Sequence, residues 1–152
     1  MLTCLAAWIA GDQAGIGKVW LLPSFAIALL GYGLAGWALG NGRPLASSEL
    51  ALLLPLYPLH GVAQQFVFQG ILNRRLTTLF GRPFPTACAT AAAFALVHFG
   101  SPVLMALTFP AGLAWSLLYQ RRPNLWALGL SHGILAALAY PLVLGENPLA
   151  GG

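Results

Sequence analysis

The chain has 152 residues, one domain's worth, of which 7% are Asp, Glu, Lys or Arg, where a soluble domain carries roughly 25%. With 59% hydrophobic residues and a mean hydropathy of +0.79, it holds more apolar surface than a globule of about 150 residues can hide, since roughly 30% of the unfolded surface stays exposed. Lipid is therefore the expected solvent, and the net charge of +4, carried by few and scattered basic residues, is membrane topology rather than a nucleic-acid footprint.

Charge-free runs set the predicted elements: Met1–Gly11, Val19–Gly42, Leu50–Asn73, Pro83–Gln120 and Pro123–Gly145. A crossing helix needs about 20 apolar residues. The first run is too short to cross and lacks the basic flank of a signal peptide, so Met1–Ala10 reads as an interfacial or half-spanning segment. The second run is one span, with Gly36 and Gly40 as a small-residue pair for close helix approach. The third is also one span, in which Pro55 and Pro58 each remove a backbone donor, so its polar half is expected to begin near His60. The fourth holds two spans, divided at Gly100-Ser101-Pro102, where Ser caps and Pro opens a helix. Ala87, Ala91 and Ala95 form a packing stripe in its first half, and Pro110 predicts a kink in its second. The fifth run is one span, starting near Leu125. The expected architecture is all-α, a polytopic transmembrane bundle of about five spans plus the short N-terminal apolar segment. The whole chain, 1–152, reads as a single integral membrane domain.

Basic residues resist translocation and so mark the cytoplasmic side. Arg74, Arg75 and Arg82 share the expected loop after the second span, Arg121 and Arg122 the loop after the fourth, and Lys18 precedes the first. Six of the seven basic residues thus fall on one side, with Arg43 opposite, which places the amino end inside and the carboxyl end outside. Trp20, Tyr119 and Trp126 flank these turns as interfacial aromatics do. Cys4 and Cys88 lie 84 positions apart in apolar segments, with neither metal spacing nor a disulfide framework.

Within the spans the conspicuous polar residues are His60, Gln64, Gln65, Gln69, His98 and His132. Burying such groups without partners costs several kcal/mol each. A single amide or imidazole in a span is ordinarily interhelical glue, worth about 0.6 kcal/mol and at most ~2. Three helices each supplying such a group is instead the pattern of an enclosed site. Gln65 and Gln69 lie one turn apart on one face, with Gln64 beside it. His60, next to Pro58 at the expected helix start, faces water or headgroups.

Together these residues resemble the CAAX-protease and bacteriocin-processing family of intramembrane endopeptidases. The family's first motif, Glu-Glu-x-x-x-Arg, has its counterpart in Gln64-Gln65-Phe66-Val67-Phe68-Gln69, followed by Gly70, with the spacing kept and every charge replaced by an amide. Its second, Phe-x-x-x-His, is intact as Phe94–His98. Its third, His-x-x-x-Asn, stands as His132–Ala136, with Ala in place of Asn. The helix and basic turn from Gly112 to Ala127 also look like the family's linking segment, and the resemblance covers about residues 50 to 145.

The resemblance implies an integral protein of a prokaryotic cytoplasmic membrane, surrounded by lipid, that acts on the transmembrane or C-terminal tail segment of a substrate protein. It implies catalytic positions at Gln64, Gln65, His98 and His132, with Gln69, Phe94 and Ala136 shaping the site. In the family the first Glu activates water for peptide hydrolysis, while the histidines and Asn position water or stabilise the oxyanion. An amide can orient water but not deprotonate it.

Two readings follow. Either the protein is a divergent endopeptidase in which His98 or His132 serves as base, since imidazole titrates near neutral pH, or it is an inactive relative that holds a transmembrane or lipidated segment without cutting it. A small transporter would explain the composition but not the ordered motifs, and no inverted repeat is visible. Zinc is disfavoured and no cofactor is expected. A zinc site takes three or four protein ligands, and the motifs contain neither carboxylate nor thiol. Of the only acids, Asp12, Glu49 and Glu146, none occupies a motif position, and Glu49 reads as a helix-start residue.

Overall fold

The computed structural model describes residues 18–40, 44 and 47–146. All regular structure among them is helical: α1 (Lys18–Leu39), α2 (Ser47–Gln65), a π-helix (Phe66–Asn73), α3 (Arg74–Phe80), α4 (Pro83–Leu96), α5 (Pro102–Arg121), α6 (Leu125–Ala139) and a second π-helix (Tyr140–Leu144). Two helical stretches, Pro102–Arg121 and Leu125–Leu144, are long and apolar enough to cross a membrane, and Leu29–Leu39 and Pro83–Leu96 are shorter apolar helices. The expected segment Met1–Ala10, with Cys4, lies outside the described residues, as do Asp12 and Arg43.

Helix ends follow local chemistry. Gly40, Gly81 and Gly145 take φ of 68°, 62° and 70°, the left-handed conformation that ends a helix without a Cβ penalty. Ser101 Oγ accepts from the Leu104 amide at 3.3 Å and Pro102 opens α5, as the Gly100-Ser101-Pro102 division predicts. Asn124 Oδ1 accepts from the Ala127 amide at 2.9 Å and starts α6 at Leu125. Pro110 stands within the unbroken run of α5.

Three expectations change. The helix carrying Gln64 does not begin near His60: α2 runs from Ser47 straight through Pro55 and Pro58. Gly129 and Gly133 of α6 present bare backbone to this stretch. A Cβ on Gly133 would lie 2.5 Å from Pro58 Cα, and one on Gly129 would lie 2.5 Å from Val62 Cα, so a neighbouring helix supports the turns that the prolines weaken. Arg74 and Arg75 are not in a loop. Thr77 and Thr78 bond back to the carbonyls of Asn73 (2.8 Å) and Arg74 (3.2 Å), so helix continues to Phe80 and only Gly81 and Arg82 join it to α4. Gly40 is a helix cap open on all sides rather than half of a packing pair, while Gly36 meets the backbone of Leu142.

The chain forms two compact units, one of Gln64–Leu128 and one of the flanking described residues up to Ala63 and from Gly129. In the first, α4 and α5 pack as a hairpin. Ala87 and Ala91 are fully buried and Ala95 nearly so, and Gly112 brings α5 within 3.2 Å of Ala91 Cα measured from its Cβ position. In the second, α1 meets the π-helix Tyr140–Leu144 at Gly36, and α2 meets α6 at Gly61, Gly129 and Gly133. Large side chains such as Leu34, Trp37, Leu59, Leu79 and Phe99 point outward, a distribution suited to lipid rather than water.

Candidate functional site

The first motif begins at the last two residues of α2 and continues into the π-helix. Hydrogen bonding from i to i+5 widens each turn, and such segments recur at functional sites. Gln65, Gln69 and Asn73, spaced by four and each 1% exposed, form one buried polar stripe. Asn73 Nδ2 donates to Gln69 Oε1 at 2.9 Å, and Gln120 Nε2 from α5 donates to Asn73 Oδ1 at 3.2 Å. Three amides are thereby linked in series across two elements. Gln64 Oε1 is buried beside this stripe and has no hydrogen-bond partner among the described residues. An acceptor so placed calls for an incoming N–H or O–H donor, such as water or a peptide amide.

The second motif carries the imidazole. Phe94 is almost wholly buried, edge-on to Phe68 at 5.0 Å, to Trp115 at 5.8 Å and to the His98 ring at 5.3 Å. Helix α4 ends at Leu96, so His98 stands on the following turn, half-buried, and its Nδ1 lies 3.0 Å from the Phe94 carbonyl. A carbonyl only accepts, so Nδ1 carries the proton, and whenever the ring is neutral its lone pair is on Nε2. The Phe-x-x-x-His spacing thus has a physical purpose. The aromatic anchors the helix end, and its own carbonyl selects the tautomer of the residue four positions on.

The third motif lies on α6, in the other unit. His132 is 5% exposed and Ala136, one turn later, is half-buried. The hydrogen bonds described above join Gln69 to Asn73 and Gln120, and the Phe94–His98 pair stands in the same unit as Gln64 and Gln65. His60 is exposed on α2, its ring 6.4 Å from that of Tyr57. Among the described residues no three of His, Cys, Asp or Glu group as metal ligands.

Sequence reasoning missed Asn73 and Gln120. Asn73 continues the four-residue spacing of Gln65 and Gln69, a signal that was there to be read. Gln120 had none, because only packing brings α5 to the π-helix. Arg74, expected in the loop after the second span, instead donates from Nε to the buried Tyr119 hydroxyl at 2.8 Å, and its guanidinium lies over the Tyr119 ring, 5.5 Å from the centroid.

Helices apolar on their exposed faces, with amides and an imidazole bound up among their buried ones, define an all-helical membrane-embedded protein with a polar interior. Residues 46–138 match the type II CAAX prenyl endopeptidase Rce1-like family, and the chain belongs to that family. The match takes in all three motif positions. At the level of the family, this is a membrane-embedded protease of the CAAX type. No curated protein and no solved structure matches the chain significantly.

Proposed function

We propose that the protein is a divergent intramembrane endopeptidase that hydrolyses a membrane-anchored or C-terminal tail segment with water activated by histidine rather than by glutamate. The bundle crosses a prokaryotic cytoplasmic membrane about five times, amino end inside and carboxyl end outside. The observation that carries the reading is the 3.0 Å contact between His98 Nδ1 and the Phe94 carbonyl. Nδ1 is committed to the Phe94 carbonyl, so the Nε2 lone pair takes the proton from a water molecule. The resulting hydroxide attacks the scissile carbonyl, and the imidazolium then returns the proton to the leaving amine. Gln64 and Gln65, in the same unit as His98, orient the water and the peptide without removing a proton. Turnover of a tail peptide by lipid-reconstituted protein, abolished in His98→Ala and retained in Gln120→Met, is the expected result. A correctly folded, reconstituted protein without turnover overturns the proposal.

A second reading is supported by the composition of the motif itself. Residues 64–128 contain no Asp or Glu, so a protein that uses this stretch only to hold a segment, without cutting it, needs nothing further. Intact tail peptides co-purifying with the protein favour this reading, and recovery of cleaved tails alone excludes it.

A further inference from the structure

The unit that holds residues 64–128 carries, within that stretch, five arginines, Arg74, Arg75, Arg82, Arg121 and Arg122, and no Asp or Glu. A cavity of about 470 Å³ opens at the end of this unit where α3 turns into α4 and α5 ends. Its lining joins the buried Asn73 and Tyr119 and the half-buried Gln120 to the exposed Arg74, Thr77 and Arg82. The two basic edges differ. Arg74 is held in place by the Tyr119 hydroxyl and ring. Arg82 is exposed, and its guanidinium makes no hydrogen bond or ion pair among the described residues.

We propose that this cavity binds a phosphate ester, and that the arginines at its edge take the phosphate oxygens in paired hydrogen bonds. Guanidinium forks match phosphate geometry, and basic pockets between helices at the cytoplasmic end of membrane proteins take anionic headgroups. The volume far exceeds that of a lone carboxylate, and the Pro83, Gly81 and Pro123 walls leave an uncharged surface for the glycerol beyond the phosphate. The ester is either a phospholipid headgroup or a soluble phosphate. This site is separate from the His98 proposal and does not depend on it.

Binding of short-chain phosphatidylglycerol and of phosphatidylcholine to the full protein in neutral detergent, read by native mass spectrometry, tests the site. Phosphatidylglycerol is expected to bind more tightly, and Arg82→Gln and Arg74→Gln to weaken it by about fivefold each, the worth of one interfacial arginine. Because Arg74→Gln also removes the bond to Tyr119, the solvent-facing Arg82→Gln keeps the test independent of folding. Displacement of the lipid by inorganic phosphate at comparable concentration supports the site and assigns it to a soluble phosphate; failure of phosphate to compete assigns it to the lipid. Equal binding of both lipids, indifference to both substitutions, or displacement only by a carboxylate-terminated peptide overturns the proposal.

Discussion

Replacing Asn73 with Ala cuts the amide series at its centre. Gln69 Oε1 loses its donor at 2.9 Å and Gln120 Nε2 its acceptor at 3.2 Å. Gln69 is 1% exposed, so neither water nor a new partner reaches its oxygen, and a stranded buried acceptor costs about 1–3 kcal/mol. Gln120 is half-buried and can turn outward, so its loss is nearer the average of about 0.6 kcal/mol for polar pairs between membrane helices. The sum is about 2.6 kcal/mol at the middle of that range, roughly an eightyfold change in the folding equilibrium. Reversible unfolding in mixed micelles, followed by tryptophan fluorescence with Trp115 as the buried reporter, measures it. The triple variant Asn73→Leu, Gln69→Met, Gln120→Met removes donors and acceptors together and is expected to regain most of the loss, because apolar groups of similar shape leave nothing stranded. A single-variant cost below about 0.5 kcal/mol, or a triple variant no more stable than the single one, refutes the reasoning.

The same assay separates two glycines. Gly133→Ala places a methyl 2.5 Å from Pro58 Cα, so α2 and α6 must part, at a cost of about 3 kcal/mol or more. Gly100→Ala meets nothing within 4 Å and stays within about 0.5 kcal/mol of the parent; similar losses for the two would contradict the packing described. Ser101→Ala removes the oxygen that accepts from the Leu104 amide and is expected to cost about 1 kcal/mol, while Ser101→Thr keeps most of the cap. An equal loss in both variants would show that the hydroxyl is not what starts α5.

The helical character of the described residues was legible because long apolar runs announce helices by composition. The division at Gly100-Ser101-Pro102 and the start of α6 at Leu125 follow from residues that cap or open a helix wherever they occur. The Ala87, Ala91, Ala95 stripe was readable as a packing face because four-residue spacing returns to one side of a helix. The prolines of α2 misled for a physical reason. The weakness they introduce is local, but the support that offsets it comes from Gly129 and Gly133, some 70 positions away.

The three motifs and their order were decided by the sequence alone, since each is a spacing of polar residues within an apolar run. A sequence can say which face of a helix is polar. It cannot say which other helix that face meets. Only packing joined Asn73 to Gln120, laid Arg74 across Tyr119, and turned the His98 ring onto the Phe94 carbonyl, because those contacts are set by backbone approach and helix ends rather than by periodicity.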